Sequence, residues 1–289
     1  MSLIISVSPH SNVKTDTPFL MRQVIIALLP ATAAGIFLFR MHALFLIAKC
    51  VISAVLTEII VLKIRKKPVV INDFSAIVTG LLLALILPPT TAWCAAWLGS
   101  IFSIFIGKHL FGGLGANIFN PALLGRAFLM AAYPKMLTTF IEPFSVDAIS
   151  GATPLALEKF SHVITPSLKL FLGNVSGSLG ETSAICLIIG GLYLLIRKIA
   201  DWRIPLSLLL TVMIISAATY VFRPDMGSVF FHLFSGGIML GAFFMATDPV
   251  TTPVTKIGRY VFGAGCAVLI IIIRYFGGLP EGVMYSILF

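Results

Sequence analysis

The chain has 289 residues, of which 58% are hydrophobic and only 11% are charged. Soluble globular domains carry about 25% charged residues, so the composition excludes such a domain and predicts a polytopic membrane protein. The formal net charge of +9 does not indicate nucleic-acid binding, because the basic residues lie at the ends of apolar runs, where they determine membrane topology.

The first block of predicted membrane spans covers residues 22–134 and follows a polar N-terminal arm at residues 1–21. Its five spans lie at about residues 22–39, 43–62, 74–88, 92–106 and 118–133. The basic run Lys63–Lys67 follows the second span, and Lys108 follows the fourth. Positively charged turns are typical of the cytoplasmic side. The arm is therefore predicted to be cytoplasmic, and the segment after the fifth span extracytoplasmic.

The second block covers residues 183–289 and fits the same topology. Its spans are predicted at about residues 183–196, 204–222, 229–246 and 260–273, with a tenth that begins near Gly282 and is left incomplete at Phe289. Several spans are shorter than the roughly 20 residues that a straight crossing needs. Short or Gly/Pro-interrupted spans are typical of broken helices that line a site.

The two blocks resemble each other in sequence. Gly80 matches Gly237 at an offset of 157 residues, and Phe111 matches Phe276 at an offset of 165, which predicts an eight-residue insertion at about residues 247–254. A repeat of five spans must have opposite orientations in its two copies, as in inverted-repeat transporters. The predicted fold is therefore an all-α membrane protein of about ten helices in two inverted five-helix repeats. The alternative is that Gly-rich membrane helices share a composition.

A motif in the extracytoplasmic loop at residues 135–182 presents a candidate modification site. Small or polar residues precede Thr153, namely Asp147, Ser150, Gly151 and Ala152. We expect Gly151 to let the backbone turn and Pro154 to keep Thr153 extended, so that the Thr153 hydroxyl is accessible to another protein. The alternative is an ordinary loop, in which such residues are common.

Polar residues also interrupt the apolar spans. Asn117 and Asn120 precede Pro121, a residue suited to the first position of a helix, and their amides are costly in a membrane unless they are paired. They either cap the helix or face a ligand. Asp248 is either a functional carboxylate, a helix-capping residue, or a partner of Lys256 or Arg259. Glu58, Asp73 and Asp248 are the candidates for an ion path.

Four features together resemble one family. They are the Ser150–Thr153 motif, the run around Asn117 and Asn120, the Thr247–Pro249 stretch and the Ser8–His10 arm. They are similar to the D subunits of the Rnf ion-translocating ferredoxin:NAD oxidoreductase complexes, which are homologous to the B subunit of the sodium-pumping NADH:quinone reductase. The short arm favours the Rnf version. The resemblance implies a urea-channel-like architecture.

The resemblance also implies two flavins. FMN would be attached to Thr153 through a phosphoester, with Asp147, Ser150, Gly151 and Ala152 as the recognition motif of a flavin transferase. A second, non-covalent flavin, riboflavin, would bind near the cytoplasmic side. Its candidate contacts are Asn117, Asn120, Lys108, Arg126 and Asp248, although Lys108 could equally be an ordinary cytoplasmic flanking residue. No metal site is expected.

The resemblance implies a redox subunit of a bacterial cytoplasmic (inner) membrane complex, with the A, B, C, E and G subunits of Rnf as partners and lipid around it. It would pass electrons between the ferredoxin and NAD partners, coupled to Na⁺ or H⁺ translocation. It would not be catalytic alone, since the chain lacks a nucleotide-binding glycine motif and the cysteine set of an iron–sulfur cluster. The alternative is a small-solute or ion channel or transporter, a common role of inverted repeats.

Overall fold

The computed structural model describes residues 16–69, 71–144, 150–223 and 226–289. The Ser8–His10 arm and Asp147 lie outside these ranges. The described residues form a helical protein whose α-helices are α1 (Thr17–Ile64), α2 (Ser75–Ile86), α3 (Trp93–Ile104), α4 (Pro121–Ala132), α5 (Pro134–Leu137), α6 (Pro154–Ser161), α7 (Ser167–Leu172), α8 (Ala184–Ile196), α9 (Arg203–Phe222), α10 (Val229–Phe234), α11 (Ile238–Leu240), α12 (Lys256–Phe276) and α13 (Val283–Leu288). Two π-helical segments, π1 (Phe105–His109) and π2 (Gly241–Met245), extend α3 and α11.

The long helix α1 consists of two segments that join at Arg40. Arg40 has φ 52° and ψ −127°, far from helical values. This break lies between the first two predicted spans, where the polar residues Arg40 and His42 interrupt the apolar sequence. Pro30 lies inside the first segment without ending it, as membrane helices allow.

The helices α2 and α4 are too short to cross a bilayer alone. Each has 12 residues, which gives a length of about 18 Å at 1.5 Å per residue, against a hydrocarbon core of about 30 Å. The helix α4 begins at Pro121 rather than at residue 118, because the Asn120 side chain accepts hydrogen bonds from the first-turn amides. Gly80 lets α2 approach α1, since a Cβ there would be 2.8 Å from the Cys50 carbonyl oxygen.

The predicted eighth span is a broken helix. Its segments α10, α11 and π2 are interrupted between Ser235 and Gly237. Gly236 has φ +66°, a conformation that glycine adopts without steric cost. A Cβ at Gly236 would also be 3.1 Å from both the Arg274 Nη2 and the Glu281 Oε1 atoms. The break therefore makes room for buried charged groups.

The segment predicted as a polar loop, residues 135–182, is largely structured. It contains α6, α7 and a two-stranded antiparallel sheet of β1 (Phe140–Ile141) and β2 (Ser150–Gly151). Residues 176–183 are buried, and the Gly180 amide donates to the Leu85 carbonyl at 2.6 Å. Small Ser and Gly residues let this stretch pack against the end of α2. The end of the predicted loop, residues 176–182, is therefore buried against the first block.

Three described helices, α1, α9 and α12, are long and apolar enough to cross a membrane, and α2, α4 and α8 are shorter apolar helices. The protein is therefore membrane-embedded. The turn between π2 and α12 is longer than the turn between α2 and α3, which is compatible with an insertion in the second block. The ten crossings, their orientation, the domain boundaries and the inverted repeat stay predictions.

Candidate functional sites at two cavities

Two cavities lie toward opposite ends of α4. The first, here called the Thr153 cavity, is lined among others by Arg126, Thr153, Leu155, Glu181, Gly236 and Glu281. The second, the Asn120 cavity, is lined among others by Ser75, Lys108, Asn117, Asn120, Thr247 and Asp248. Pro121 lines the Asn120 cavity and Met130 the Thr153 cavity. At 1.5 Å per residue, these two positions are about 14 Å apart along the helix.

Thr153 is the N-cap residue of α6. Its hydroxyl oxygen accepts a hydrogen bond from the Ala156 amide at 3.3 Å, as is usual for a threonine at this position. Only 9% of the residue is exposed. The sequence predicted an accessible hydroxyl, and the structure instead places it at the edge of a cavity, because Pro154 and Leu155 after it are buried.

Gly151 is required for close packing rather than for a turn. It lies in β2, opposite Phe140 of β1. A Cβ at this position would overlap the Ser176 hydroxyl and would be 3.0 Å from the Glu142 Cγ atom. Gly151 therefore lets β2 lie against Ser176, which corrects the predicted reason for the glycine.

Arg126 belongs to the Thr153 cavity and does not line the Asn120 cavity. Its guanidinium group contacts Glu281 at 3.1 Å and Glu181 at 3.5 Å. The Glu281 carboxylate also accepts a hydrogen bond from the Gly237 amide. The sequence grouped Arg126 with Asn120, but six residues of helix displace it by about 9 Å. The structure therefore separates Arg126 from Asn117 and Asn120, and its contact with the second flavin stays a prediction.

Asn117 and Asn120 line the Asn120 cavity and also stabilise the start of α4. The Asn120 side-chain oxygen accepts from the Ala122 and Leu123 amides at 3.1 and 3.4 Å. Its side-chain nitrogen lies 3.5 Å from the Met245 carbonyl oxygen, and Asn117 donates to the Phe119 carbonyl. The helix-capping alternative is confirmed for Asn120, which leaves Asn117 as the freer amide at the cavity.

Lys108 is a buried member of an ion-pair network rather than a flanking residue. It is 2% exposed and donates to the Glu58 carboxylate and the Ser75 hydroxyl. Asp73 lies 3.8 Å from the same ammonium group. Two predicted ion-path residues, Glu58 and Asp73, therefore share one cation. Because an unpaired charge is expensive inside a membrane, this pairing accounts for the burial of Glu58.

Asp248 lies at the other side of the Asn120 cavity. Its carboxylate accepts hydrogen bonds from the Val250 amide at 3.3 Å and the Thr251 hydroxyl at 3.4 Å. Burial raises the pKa of Asp248, and these two hydrogen bonds partly oppose that effect. The predicted pairing with Arg259 was wrong, since Arg259 pairs with Asp201. Asp248 is therefore a carboxylate without a cation within ion-pair distance among the described residues.

Both π-helical segments contribute to the Asn120 cavity. Lys108 belongs to π1, and Phe244 of π2 lines the same cavity. Single π-helical turns inside α-helices occur frequently at functional sites. The local sequence does not predict these turns, although each contains a glycine, Gly107 and Gly241. Their position supports the Asn120 cavity as a functional site.

The residues fit flavin groups in different ways. The Thr153 hydroxyl lies at a helix N-terminus, where backbone amides and the helix dipole favour a phosphate. The Asn120 cavity offers amides and an apolar lining, which suit an isoalloxazine ring. Its volume is about 110 Å³, below the roughly 300–1,000 Å³ of ligand pockets, so a ring there requires movement of lining side chains. Within the described ranges, no group of three His, Cys, Asp or Glu residues could hold a metal ion.

The sequence did not predict the burial of Glu181 and Arg274 or the pairing of Glu281 with Arg126. Glu181 was assigned to the loop and Glu281 follows Pro280, a typical turn residue, so neither had a signal of burial. Arg274 follows the span predicted at residues 260–273, yet it is 4% exposed and donates to the His232 and Ser235 carbonyls. The matched repeat could have indicated Arg274, since at the offset of 165 residues it matches His109, which is also buried.

Comparisons with known proteins cover nearly the whole chain. Residues 4–289 match the model of the NQR2, RnfD, RnfE family. The D subunit of the Na⁺-translocating ferredoxin:NAD⁺ oxidoreductase complex of Acetobacterium woodii is 47% identical over all of this chain and 90% of its own length. The D subunit of the proton-translocating complex of Clostridium ljungdahlii is 44% identical over 98% of this chain and 90% of its own length.

A third relative carries a broader name. The D subunit of the ion-translocating oxidoreductase complex of Stutzerimonas stutzeri is 39% identical over 96% of this chain and 88% of its own length. The match of almost every residue to the family model, together with whole-length relatives well above 30% identity, confirms the resemblance inferred from the sequence motifs. The chain belongs to the NQR2, RnfD, RnfE family.

Proposed function

We propose that the chain is the D subunit of an Rnf-type ion-translocating ferredoxin:NAD oxidoreductase complex, and that it carries FMN covalently on Thr153. It passes electrons across the bacterial cytoplasmic membrane between partners that meet ferredoxin and NAD, with coupling to Na⁺ or H⁺ translocation. Its relatives are named as subunits of such complexes. The observation that carries the flavin assignment is the position of Thr153 as a helix N-cap at a cavity edge.

Attachment of the flavin is a phosphoryl transfer without a redox change. The Thr153 oxygen attacks the flavin-side phosphorus of a flavin dinucleotide, bound to a flavin transferase. The new O–P ester bond forms, the pyrophosphate P–O bond breaks, and a nucleoside monophosphate leaves. The hydroxyl proton passes to a base of the transferase. The chain contributes the hydroxyl, and the transferase contributes the activated donor.

The N-terminus of α6 suits the resulting ester. The first-turn amides of a helix have no intrahelical partner, and a phosphate at this end gains hydrogen bonds and a favourable interaction with the helix dipole. The Ala156 amide, which now donates to the Thr153 hydroxyl, is placed to donate to a phosphate oxygen instead. The bound flavin supplies the electron-transfer chemistry, while α6 fixes its point of attachment.

The Asn120 cavity is the proposed place of a second, non-covalent flavin, riboflavin. Asn117, Asn120, Lys108 and Asp248 all line it. The Asn117 and Lys108 side chains offer hydrogen-bond donors toward ring oxygens and nitrogens, and the leucines of the lining exclude water. An ion bound by the Glu58 carboxylate would have to compete with the Lys108 ammonium group. Because Lys108 also lines the Asn120 cavity, the proposed ion path and the second flavin site share this residue.

The covalent flavin is tested on the full chain produced together with a flavin transferase. We expect fluorescence under ultraviolet light on a denaturing gel and an intact mass increased by one flavin phosphate. The Thr153→Ala variant should lose both signals, whereas the matched control Thr139→Ala, a nearby exposed threonine, should keep them. Mature protein without an adduct would contradict the proposal and favour a channel or transporter.

A further inference from the structure

The burial of Thr153 creates a difficulty for its modification. A transferase must place a flavin phosphorus in line with the hydroxyl oxygen, yet only 9% of Thr153 is exposed and its oxygen already accepts from the Ala156 amide. The cavity beside it has a volume of about 60 Å³. This is room for a few waters at about 10–15 Å³ each, and it excludes an enzyme loop.

The helix α6 is docked by two kinds of contact. On its apolar side, Leu155 packs with Leu170 of α7 and Phe231 of α10 in a small buried cluster. On its polar side, the Lys159 ammonium group donates to carbonyl oxygens at the end of α12. These belong to Ile273 at 3.5 Å, Arg274 at 2.8 Å, Leu279 at 3.0 Å and Gly277.

Four carbonyl oxygens surround the Lys159 ammonium group. The last carbonyls of a helix lack intrahelical partners and form the negative end of its dipole, so the end of α12 attracts a cation. One ammonium group has three N–H donors and here faces four carbonyl oxygens. The Arg274 carbonyl lies in the last turn of α12 and the Gly277 and Leu279 carbonyls follow the helix. The Ile273 carbonyl also accepts from the Gly277 amide. Losing Lys159 would therefore remove most of the polar attachment of α6 to the second block.

We propose that Lys159 is a latch: its release from the carbonyl end of α12 lets α6 open and expose Thr153 to the flavin transferase, and its return docks α6 again. The inference rests on the proposed flavin attachment at Thr153. It assigns Lys159 as a positioning residue, because it acts through α6 and does not touch the reacting atoms. Attachment then occurs on the open form, and the docked form holds the ester at the edge of the Thr153 cavity.

The latch is tested by the rate of flavin attachment to folded protein. The full chain is purified in detergent from cells that lack the transferase, and transferase with flavin dinucleotide is then added. Lys159→Met should attach flavin at least about tenfold faster than wild type, which corresponds to about 1.4 kcal/mol. The Lys159→Arg variant keeps the positive charge and should attach flavin at a rate close to that of wild type. The exposed control Lys169→Met should attach flavin at the wild-type rate. Equal or slower attachment by Lys159→Met would overturn the proposal.

A second measurement does not depend on flavin. In a chain whose four native cysteines are replaced, Leu155→Cys places a thiol in the docked, 4% exposed position. Its labelling by a water-soluble maleimide should be faster with Lys159→Met than without it, by the same factor as the attachment rate. Equal labelling rates would rule out the latch. Lys159→Gln serves both measurements should Lys159→Met fail to fold.

The flavin attachment at Thr153 and the Lys159 latch can be refuted separately. Absence of an adduct in wild type produced with the transferase would refute the flavin at Thr153, while the labelling ratio would still decide whether Lys159 restrains α6. An adduct in wild type with no effect of Lys159→Met on either rate would leave the function in place and refute the latch.

Discussion

At the scale of single residues, buried charges on this chain are held in small networks. Lys108 contacts Glu58 and lies near Asp73, while Arg126 contacts Glu181 and Glu281. Each network joins residues far apart in the sequence. Since a lone charge in a low-dielectric interior is expensive, each side chain constrains its partners, and removal of one member should cost more than removal of a pair.

The first prediction concerns the Lys108–Glu58 pair. Lys108→Met leaves the buried Glu58 carboxylate without its cation, and breaking a buried pair in this way costs about 3–5 kcal/mol. The double variant Lys108→Met/Glu58→Gln should recover a large part of that loss, because the buried Glu58 charge is removed together with its cation. Thermal unfolding of the purified chain in detergent measures both. A double variant less stable than Lys108→Met would contradict the pairing.

The second prediction concerns pH. Burial of the Asp201 carboxylate opposes its ionisation, but hydrogen bonds from the Arg203 amide and from Arg259, with the two positive charges, outweigh this and hold the pKa of Asp201 below its ordinary value. A lowered folded-state pKa stabilises the fold above the unfolded Asp value of about 3.9, and that contribution disappears as pH falls through the folded-state pKa.

The measurement is thermal stability as a function of pH. Wild type should lose stability on acidification below about pH 4 by more than Asp201→Asn does, since the amide does not titrate. The difference between the two curves is the contribution of Asp201. Parallel curves over this range would show that the Asp201 contacts with Arg203 and Arg259 do not stabilise the fold.

At the scale of elements, the sequence predicted the positions of helices along the chain better than it predicted which segments pack against them. Apolar runs separated by polar residues place the break of α1 near Arg40 and the start of α4 near Pro121. The stretch at residues 176–182 was predicted as loop because its Ser and Gly residues are typical of loops. Whether such residues face water or a neighbouring helix depends on tertiary packing, which no local pattern contains.

The same dependence on tertiary packing explains which residues of the two cavities could be grouped from the sequence. One cavity is lined by Asn117, Asn120, Lys108 and Asp248. The sequence grouped these residues because each follows or precedes an apolar run at the same predicted face of the membrane. Arg126 was grouped with them by sequence distance, and the rise of α4 carries it to the other cavity. Glu181 and Glu281 were missed, since a carboxylate next to turn residues is usually solvated.

The third prediction separates helix capping from ligand binding at Asn120. Asn120→Leu removes the acceptor of two first-turn amides and should lower the free energy of unfolding by about 1 kcal/mol. The same variant should also lose the proposed riboflavin. Asn120→Ser retains a capping oxygen and should keep the stability while it loses the amide that faces the cavity. Flavin content after purification and the unfolding temperature are measured together. Riboflavin content unchanged in both variants would exclude Asn120 from the second flavin site.

At the scale of the whole molecule, the Arg126 network connects the two blocks. Arg126 lies on α4 of the first block, Glu281 precedes α13 of the second, and Glu181 precedes α8 where the second block begins. Lys159 adds a further connection between α6 and the end of α12. The Thr153 cavity thus lies where several separate segments meet, so the position of Thr153 depends on how the blocks are joined.

The last prediction tests that dependence. Arg126→Leu leaves the buried Glu181 carboxylate and the partly buried Glu281 carboxylate without this cation, and we expect a loss of about 3–5 kcal/mol. The exposed control Lys135→Leu should change stability by less than about 0.5 kcal/mol. Adding Glu181→Gln and Glu281→Gln to Arg126→Leu should restore much of the stability, because both charges are removed and the side-chain amide at position 281 can still accept the Gly237 hydrogen bond.

Thermal unfolding measures the changes in stability of these variants, and the amount of flavin attached per folded chain measures the geometry at Thr153. If the blocks are joined through this network, attachment should change with Arg126→Leu and return toward wild type in the triple variant. Wild-type stability in Arg126→Leu would show that the network does not join the blocks.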